Sequence, residues 1–137
     1  MGCAVACTAS LLGIDYKRAL KKFNDGERKH SGSGFYVYDI KNVLKEYNLN
    51  PKTYNLLKKK LKYKIGDIIF TKEGEGDFLG HYLLKTKFGW MDCWINYPSI
   101  VPAKSGYRKR YPGRALWLIR CINLNLDQKV PRLVNLK

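Results

Sequence analysis

Cys3, His81, Asn96 and Asp92 are side chains of the types that together break an acyl bond: a sulfur nucleophile, an imidazole to move its proton, and two candidates to orient that imidazole. Cys3 opens the run Cys3-Ala4-Val5-Ala6-Cys7-Thr8-Ala9-Ser10-Leu11-Leu12-Gly13, which predicts a closely packed helix stopped by its glycine. A cysteine in the first helical turn feels the positive end of the helix dipole, which favours the thiolate. On this stretch alone, Cys3 and Cys7 read equally well as small core residues, because free cysteine is often buried.

The histidine sits in a predicted hairpin. Gly80 to Thr86 and Trp90 to Asn96 read as two strands around the bend at Lys87, Phe88 and Gly89. With a two-residue loop of Phe88 and Gly89, Lys87 faces Trp90 and His81 lies directly across from Asn96, with Cβ atoms about 5 Å apart. The same register sets Lys85 opposite Asp92 and Leu83 opposite Trp94. A side-chain amide beside an imidazole accepts from one ring nitrogen and leaves the other free as base, the third role in a Cys-His-Asn triad. Asp92 competes for that role, but this register puts it four residues from the level of His81, about 13 Å away, with Lys85 as its structural partner. The expected catalytic set is therefore Cys3, His81 and Asn96.

These residues need elements to carry them. Asp15 is a suitable N-cap for a second helix from Tyr16 to about Phe23, whose apolar residues Tyr16, Ala19, Leu20 and Phe23 recur on one face. Val37 to about Tyr47 predicts a third helix, with Asn48 as its stop. Pro51 forces an extended segment from Lys52 to Leu56. From Ile65 the period becomes strand-like, giving Ile65 to Thr71, the two hairpin strands, and a last strand from Ala115 to Ile122. Helices first and a meandering antiparallel sheet second make an α+β fold, with residues 1–137 as one domain.

Composition bounds the rest. A 137-residue chain with 45% hydrophobic residues has enough apolar surface to bury a core without staples. No apolar run approaches the roughly 20 residues of a membrane span, and no Lys or Arg precedes the first apolar run, so it reads as a poor secretory signal. Ala6 stands where N-myristoylation prefers Ser or Thr. The expectation is a cytoplasmic protein, without a membrane partner, whose four cysteines are reduced thiols. Its 26 Lys plus Arg against 11 Asp plus Glu give a net charge of +15, a surface that would attract nucleic acid or an acidic protein. The basic residues are spread over Lys17 to Lys22, Lys58 to Lys64 and Lys104 to Arg110, which is also how a solvated basic surface looks. Grouping Cys3, Cys7, Cys93 and Cys121 as a zinc site is weaker, because the helical Cys-x3-Cys lacks a second close pair. The chemistry expected here uses neither metal nor cofactor.

The cysteine run and the pair of segments Gly80-His81-Tyr82-Leu83-Leu84 and Ile95-Asn96-Tyr97-Pro98 together resemble the papain-like superfamily, and within it the C39-like cysteine peptidases. The first resembles that family's nucleophile helix, D-C-G-V-A-C-L-A-x-L-L-G; the others resemble its G-H-[FY]-V-V strand and [ND]-P element. The resemblance implies a papain-like fold, N-terminal helices packed on a C-terminal antiparallel sheet. It also implies a cysteine peptidase or related thiol hydrolase, with Cys3 as nucleophile, Cys7 as a structural residue, and a peptide or isopeptide substrate cut through a thioester. Gly2 and Ala4 replace the family's Asp and Gly around the cysteine, and Tyr97 its aspartate before the proline. The family also has a glutamine a few residues before the nucleophile as an oxyanion donor, whereas two residues precede Cys3 and Gln128 is the one glutamine of the chain. A catalytically weak papain-like scaffold that binds nucleic acid or an acidic partner is the alternative expectation.

Overall fold

The computed structural model of the chain describes residues 2–23, 35–72, 80–93, 95 and 104–122. Among them are three helices, α1 (Cys3–Leu12), α2 (Tyr16–Lys22) and α3 (Val37–Glu46), followed by six strands. The strands are β1 (Pro51–Asn55), β2 (Ile68–Lys72), β3 (His81–Thr86), β4 (Gly89–Asp92), β5 (Gly106–Arg108) and β6 (Arg114–Cys121). They form one antiparallel sheet in the order β1-β6-β2-β3-β4-β5. The expected α+β layout holds, but the sheet is no simple meander, since β6 crosses back between β1 and β2.

Local chemistry fixes the helix ends. Gly13 adopts φ 71° and closes α1, its N–H and that of Ile14 reaching the carbonyls of Ser10 and Ala9. Asp15 caps α2 by accepting from the Arg18 N–H at 2.8 Å. Asn48 ends the turn after α3 at φ 60°, a left-handed conformation that asparagine tolerates. At the start of α3, Asp39 accepts from the Tyr36 N–H at 2.7 Å, half of a capping box.

Strand alternation divides the sheet into two faces. Ile68, Tyr82, Leu84, Met91 and Ile119 share one core with α1, with Ala19 of α2 and its C-cap Phe23, and with Ile40, Val43 and Leu44 of α3. Ile69, Leu83, Trp90 and Leu118 point the other way, under Tyr54, Tyr63 and Tyr111. Helix α1 is the centre of the first layer, with Ala4, Val5, Cys7, Ala9, Leu11 and Leu12 all buried. Full burial of each leucine or valine contributes about 1.5–3 kcal/mol, so packing holds this short helix where propensity alone would not. Thr8 meets the apolar surroundings by donating to the Ala4 carbonyl at 2.8 Å, and Ser10 donates to the Met91 sulfur at 3.1 Å. The second bond ties α1 directly to β4.

The hairpin register differs from the sequence expectation by two residues. Thr86 pairs with Gly89, Lys85 with Trp90 and Leu84 with Met91, leaving Lys87 and Phe88 as the turn. The Thr86 hydroxyl clamps that turn, accepting from the Phe88 N–H at 3.0 Å and donating to the Gly89 carbonyl at 2.8 Å. Gly89 has φ 116°, and a Cβ there would come within 2.6 Å of the Arg108 carbonyl oxygen, so only glycine lets β5 approach. Lys85 lies over the Trp90 ring at 5.2 Å instead of facing Asp92.

No helix among the described residues is long and apolar enough to cross a membrane.

Candidate active site

Cys3 is the first residue of α1, after the N-cap Gly2. The four first amide N–H groups of a helix have no intrahelical partner. Here no side chain caps them and no acidic residue occupies the first turn. The positive end of the helix is therefore left to whatever negative charge lies near it.

His81 opens β3, the strand of the sheet against which α1 packs most. Gly80 makes that position accessible: a Cβ at residue 80 would meet the Phe70 ring at 1.9 Å. Thr71, opposite His81 on β2, donates its hydroxyl to the His81 carbonyl at 3.3 Å and holds the backbone there.

Asp92 ends β4 and reaches the imidazole. Its Oδ1 lies 2.5 Å from His81 Nε2. The two-residue shift in register explains this contact. Counting on from Leu84 opposite Met91, Asp92 falls level with Leu83, making it a diagonal neighbour of His81 on the same face. The expected Asp92–Lys85 pairing is thereby corrected. The expected orienting residue, Asn96, lies outside the described residues.

Asp92 is held from its other side by an arginine that the sequence did not single out. Arg108 Nε on β5 donates to Asp92 Oδ2 at 2.7 Å, and another guanidinium nitrogen donates to the Ile95 carbonyl at 3.1 Å. The aspartate side chain is 1% exposed, so its charge requires these partners. Arg108 stands in the basic run Lys104 to Arg110, where nothing in the sequence separates it from its basic neighbours.

The fourth member of the cluster is Cys93, immediately after Asp92, whose thiol hydrogen-bonds to Cys3. That bond is the largest influence lowering the Cys3 pKa well below its ordinary value. Burial opposes it, and a hydrogen bond and positive charge from His81, with the Tyr82 backbone N–H, reinforce it. Burial also disfavours a charged His81. The hydrogen bonds to Asp92 and Cys3, and the negative charges of both, outweigh burial and push its pKa up to about 10. Cys93 moves upward instead, because it donates to Cys3 and is itself buried beside negative charge. Cys7, one turn from Cys3, is raised chiefly by burial and stays a thiol in the core. These directions favour a Cys3 thiolate paired with a His81 imidazolium over the neutral pair.

The ring geometry is consistent with base chemistry. With Nε2 donating to a carboxylate, Nδ1 is the nitrogen left for the sulfur. From outside to inside, Arg108, Asp92, His81 and Cys3 form an alternating series of positive and negative charges. Tyr16 on α2 faces the two thiols, and burial followed by the charges of Cys93 and Cys3 pushes its phenol up to about 12. Cys121, at the end of β6, is raised to about 12 by burial, with a smaller contribution from Asp67, a residue of the far Asp67–Arg120 pair. Among the described residues no group of three or more His, Cys, Asp or Glu is arranged to hold a metal ion.

The chain matches no family model, no curated protein and no solved structure.

Proposed function

We propose that this chain is a thiol hydrolase of papain-like build that cuts a peptide or isopeptide bond through a thioester on Cys3. The observation that supports this reading most is the continuous polar series Arg108–Asp92–His81–Cys3, ending on a cysteine at the N-terminus of a buried helix. The Cys3 thiolate attacks the acyl carbon. Negative charge developing on the carbonyl oxygen meets the uncapped first-turn N–H groups of α1. His81 gives its proton to the leaving amine, then takes one from the water that hydrolyses the thioester. Asp92 acts as the orienting group in place of Asn96: a carboxylate fixes the same ring tautomer and also stabilises the imidazolium.

The test is the rate of Cys3 alkylation against pH. The thiolate forms as pH rises through the depressed Cys3 pKa, so iodoacetamide labels Cys3 at mildly acidic pH, where an ordinary thiol is inert. His81 loses its proton as pH rises through about 10. Labelling by anionic iodoacetate, which the imidazolium attracts, then falls, while labelling by neutral iodoacetamide does not. In His81→Ala the acid-side reactivity disappears and hydrolysis of an activated acyl substrate drops by about 10²–10⁴. A Cys3 no more reactive than free cysteine, and unchanged by His81→Ala, would sink the assignment.

One observation favours a second reading, a scaffold that binds nucleic acid or an acidic protein. Lys58, Lys59, Lys60, Lys62 and Lys64 are all exposed on the connector between β1 and β2. Salt-dependent retention on heparin that is lost when these lysines are neutralised, together with an unreactive Cys3, would select it.

A further inference from the structure

The basic residues stand in separate runs of sequence, but the fold gathers two of those runs at one end of the sheet. Tyr63, between Lys62 and Lys64, meets Tyr111, which follows Lys109 and Arg110, with the two hydroxyls 3.2 Å apart. Both rings pack edge-on against Trp90, at 5.1 and 5.5 Å between centroids, and Lys85 lies over the same indole. The Lys87–Phe88 turn closes this end of the sheet, whereas His81 opens β3 at the other, about 17 Å away at strand rise. Carboxylates do not offset the charge. From Phe78 to Leu126 the chain has eight Lys and Arg and a single acid, Asp92, which is buried and held by Arg108. Asp67, beside Lys64, is equally buried and held by Arg120. Against this background Phe88 and Tyr107 are 50% and 40% exposed, their rings 5.5 Å apart and inclined at 57°. The turn does not require a ring at 88: the Thr86 hydroxyl and Gly89 set it, and a small polar residue such as Asn or Asp would serve. Lys87 Nζ lies 5.2 Å from the Phe88 centroid. Exposed rings set among cations are the arrangement on which nucleobases stack while their phosphates are neutralised.

We infer that Phe88 and Tyr107 form a stacking platform for single-stranded nucleic acid, with Lys87, Lys109 and Arg110 neutralising the phosphates that flank the stacked bases. The bases must be unpaired, because a duplex keeps their faces inside its own stack. An acidic protein would satisfy the cations but leave the two rings without a role. Lys62, Lys64 and Lys85 extend the positive surface along the same end of the sheet. Stacking on an aromatic ring accepts every base, so binding here is weakly selective for sequence and strongly dependent on salt. The platform names the stacking residues for the nucleic-acid reading above, and it is independent of the hydrolase reading because it lies at the far end of β3 from His81.

The experiment measures fluorescence anisotropy of two labelled probes against the full chain at rising salt: a short oligothymidylate, and an abasic deoxyribose-phosphate chain of the same length. The unmutated chain should bind the oligothymidylate about tenfold or more tightly than the abasic chain. Phe88→Ala with Tyr107→Ala, the fold checked by circular dichroism, should abolish that difference and leave the salt dependence as it was. Phe88→Tyr with Tyr107→Phe keeps both rings and should keep the difference. Lys87→Gln, Lys109→Gln and Arg110→Gln together should weaken both probes and flatten the slope of log affinity against log salt by about 2. Equal binding of the two probes by the unmutated chain would overturn the inference, as would unchanged oligothymidylate binding in the alanine pair. Polyglutamate that displaces the oligothymidylate as well as unlabelled oligothymidylate does would overturn it in favour of an acidic protein partner. If neutralising Lys58 to Lys64 abolishes binding while the alanine pair binds normally, the nucleic-acid reading stands and the platform falls. Iodoacetamide reactivity of Cys3 decides the hydrolase reading separately.

Discussion

The sheet carries two aspartate–arginine pairs of similar burial and opposite consequence. Asp67 and Asp92 are each 1% exposed, and each meets an arginine from a neighbouring part of the sheet. Arg120 takes both Asp67 oxygens, at 2.9 and 2.8 Å, and the Lys64 N–H adds a third bond at 2.7 Å. Asp67 is thereby spent on its own surroundings, where it closes the turn before β2 and anchors β6. Arg108 takes only one oxygen of Asp92, and the other goes to His81. The first pair ends on itself, whereas the second passes its charge on to an imidazole and then to a thiol. What distinguishes a structural ion pair from a candidate catalytic one here is the acceptor capacity left over after the arginine has bound.

The largest effect expected from this contrast is in Arg120→Ala. Removing one partner of a buried pair leaves an uncompensated charge and costs about 3–5 kcal/mol of stability. Chemical denaturation should show that loss, while Cys3 alkylation at moderate pH stays at the unmutated rate. A slowed Cys3 would mean that the two pairs are coupled. Asp92→Asn comes next, with little change in shape. It lowers Cys3 reactivity by roughly a hundredfold at mildly acidic pH, in line with the scale of general acid–base effects, because the amide no longer stabilises the imidazolium. Stopped-flow alkylation measures it, and an unaltered profile would remove Asp92 from the assignment. The smallest effect is that of Gly89→Ala. A side chain at φ 116° that must also displace the Arg108 carbonyl costs about 1–3 kcal/mol. It should lower the melting temperature and shift the Cys3 profile slightly toward that of Asp92→Asn, since β5 delivers Arg108. Loss of stability with no shift in profile would show that Arg108 keeps its place without β5.

The hairpin shows most clearly where reading the chain succeeds and where it stops. Both registers keep Leu83 and Trp90 on one face and Leu84 and Met91 on the other, because a slip of two residues leaves every side chain on its own side of the sheet. Apolar alternation therefore identifies the strands and their faces but cannot choose the register that brings Asp92 beside His81. The choice falls to the Thr86 hydroxyl clamp and the close approach of β5 behind Gly89. β5 itself, Gly106-Tyr107-Arg108, is too short to carry a periodic pattern, and so Arg108 was hidden in a basic run.

Much about this protein was decided within short windows of sequence. The Asp15 cap, the Gly13 and Asn48 stops, the apolar faces of α2 and α3, and the positions of Cys3 and His81 at the starts of their elements depend on neighbours a few residues away. Local hydrogen bonds and periodicity are sufficient to set them. The return of β6 between β1 and β2, the two-residue register and the meeting of Cys93 with Cys3 join residues far apart in the chain. Those depend on which surfaces bury each other and which buried charges find partners, and that balance exists only once the sheet and helix α1 have come together.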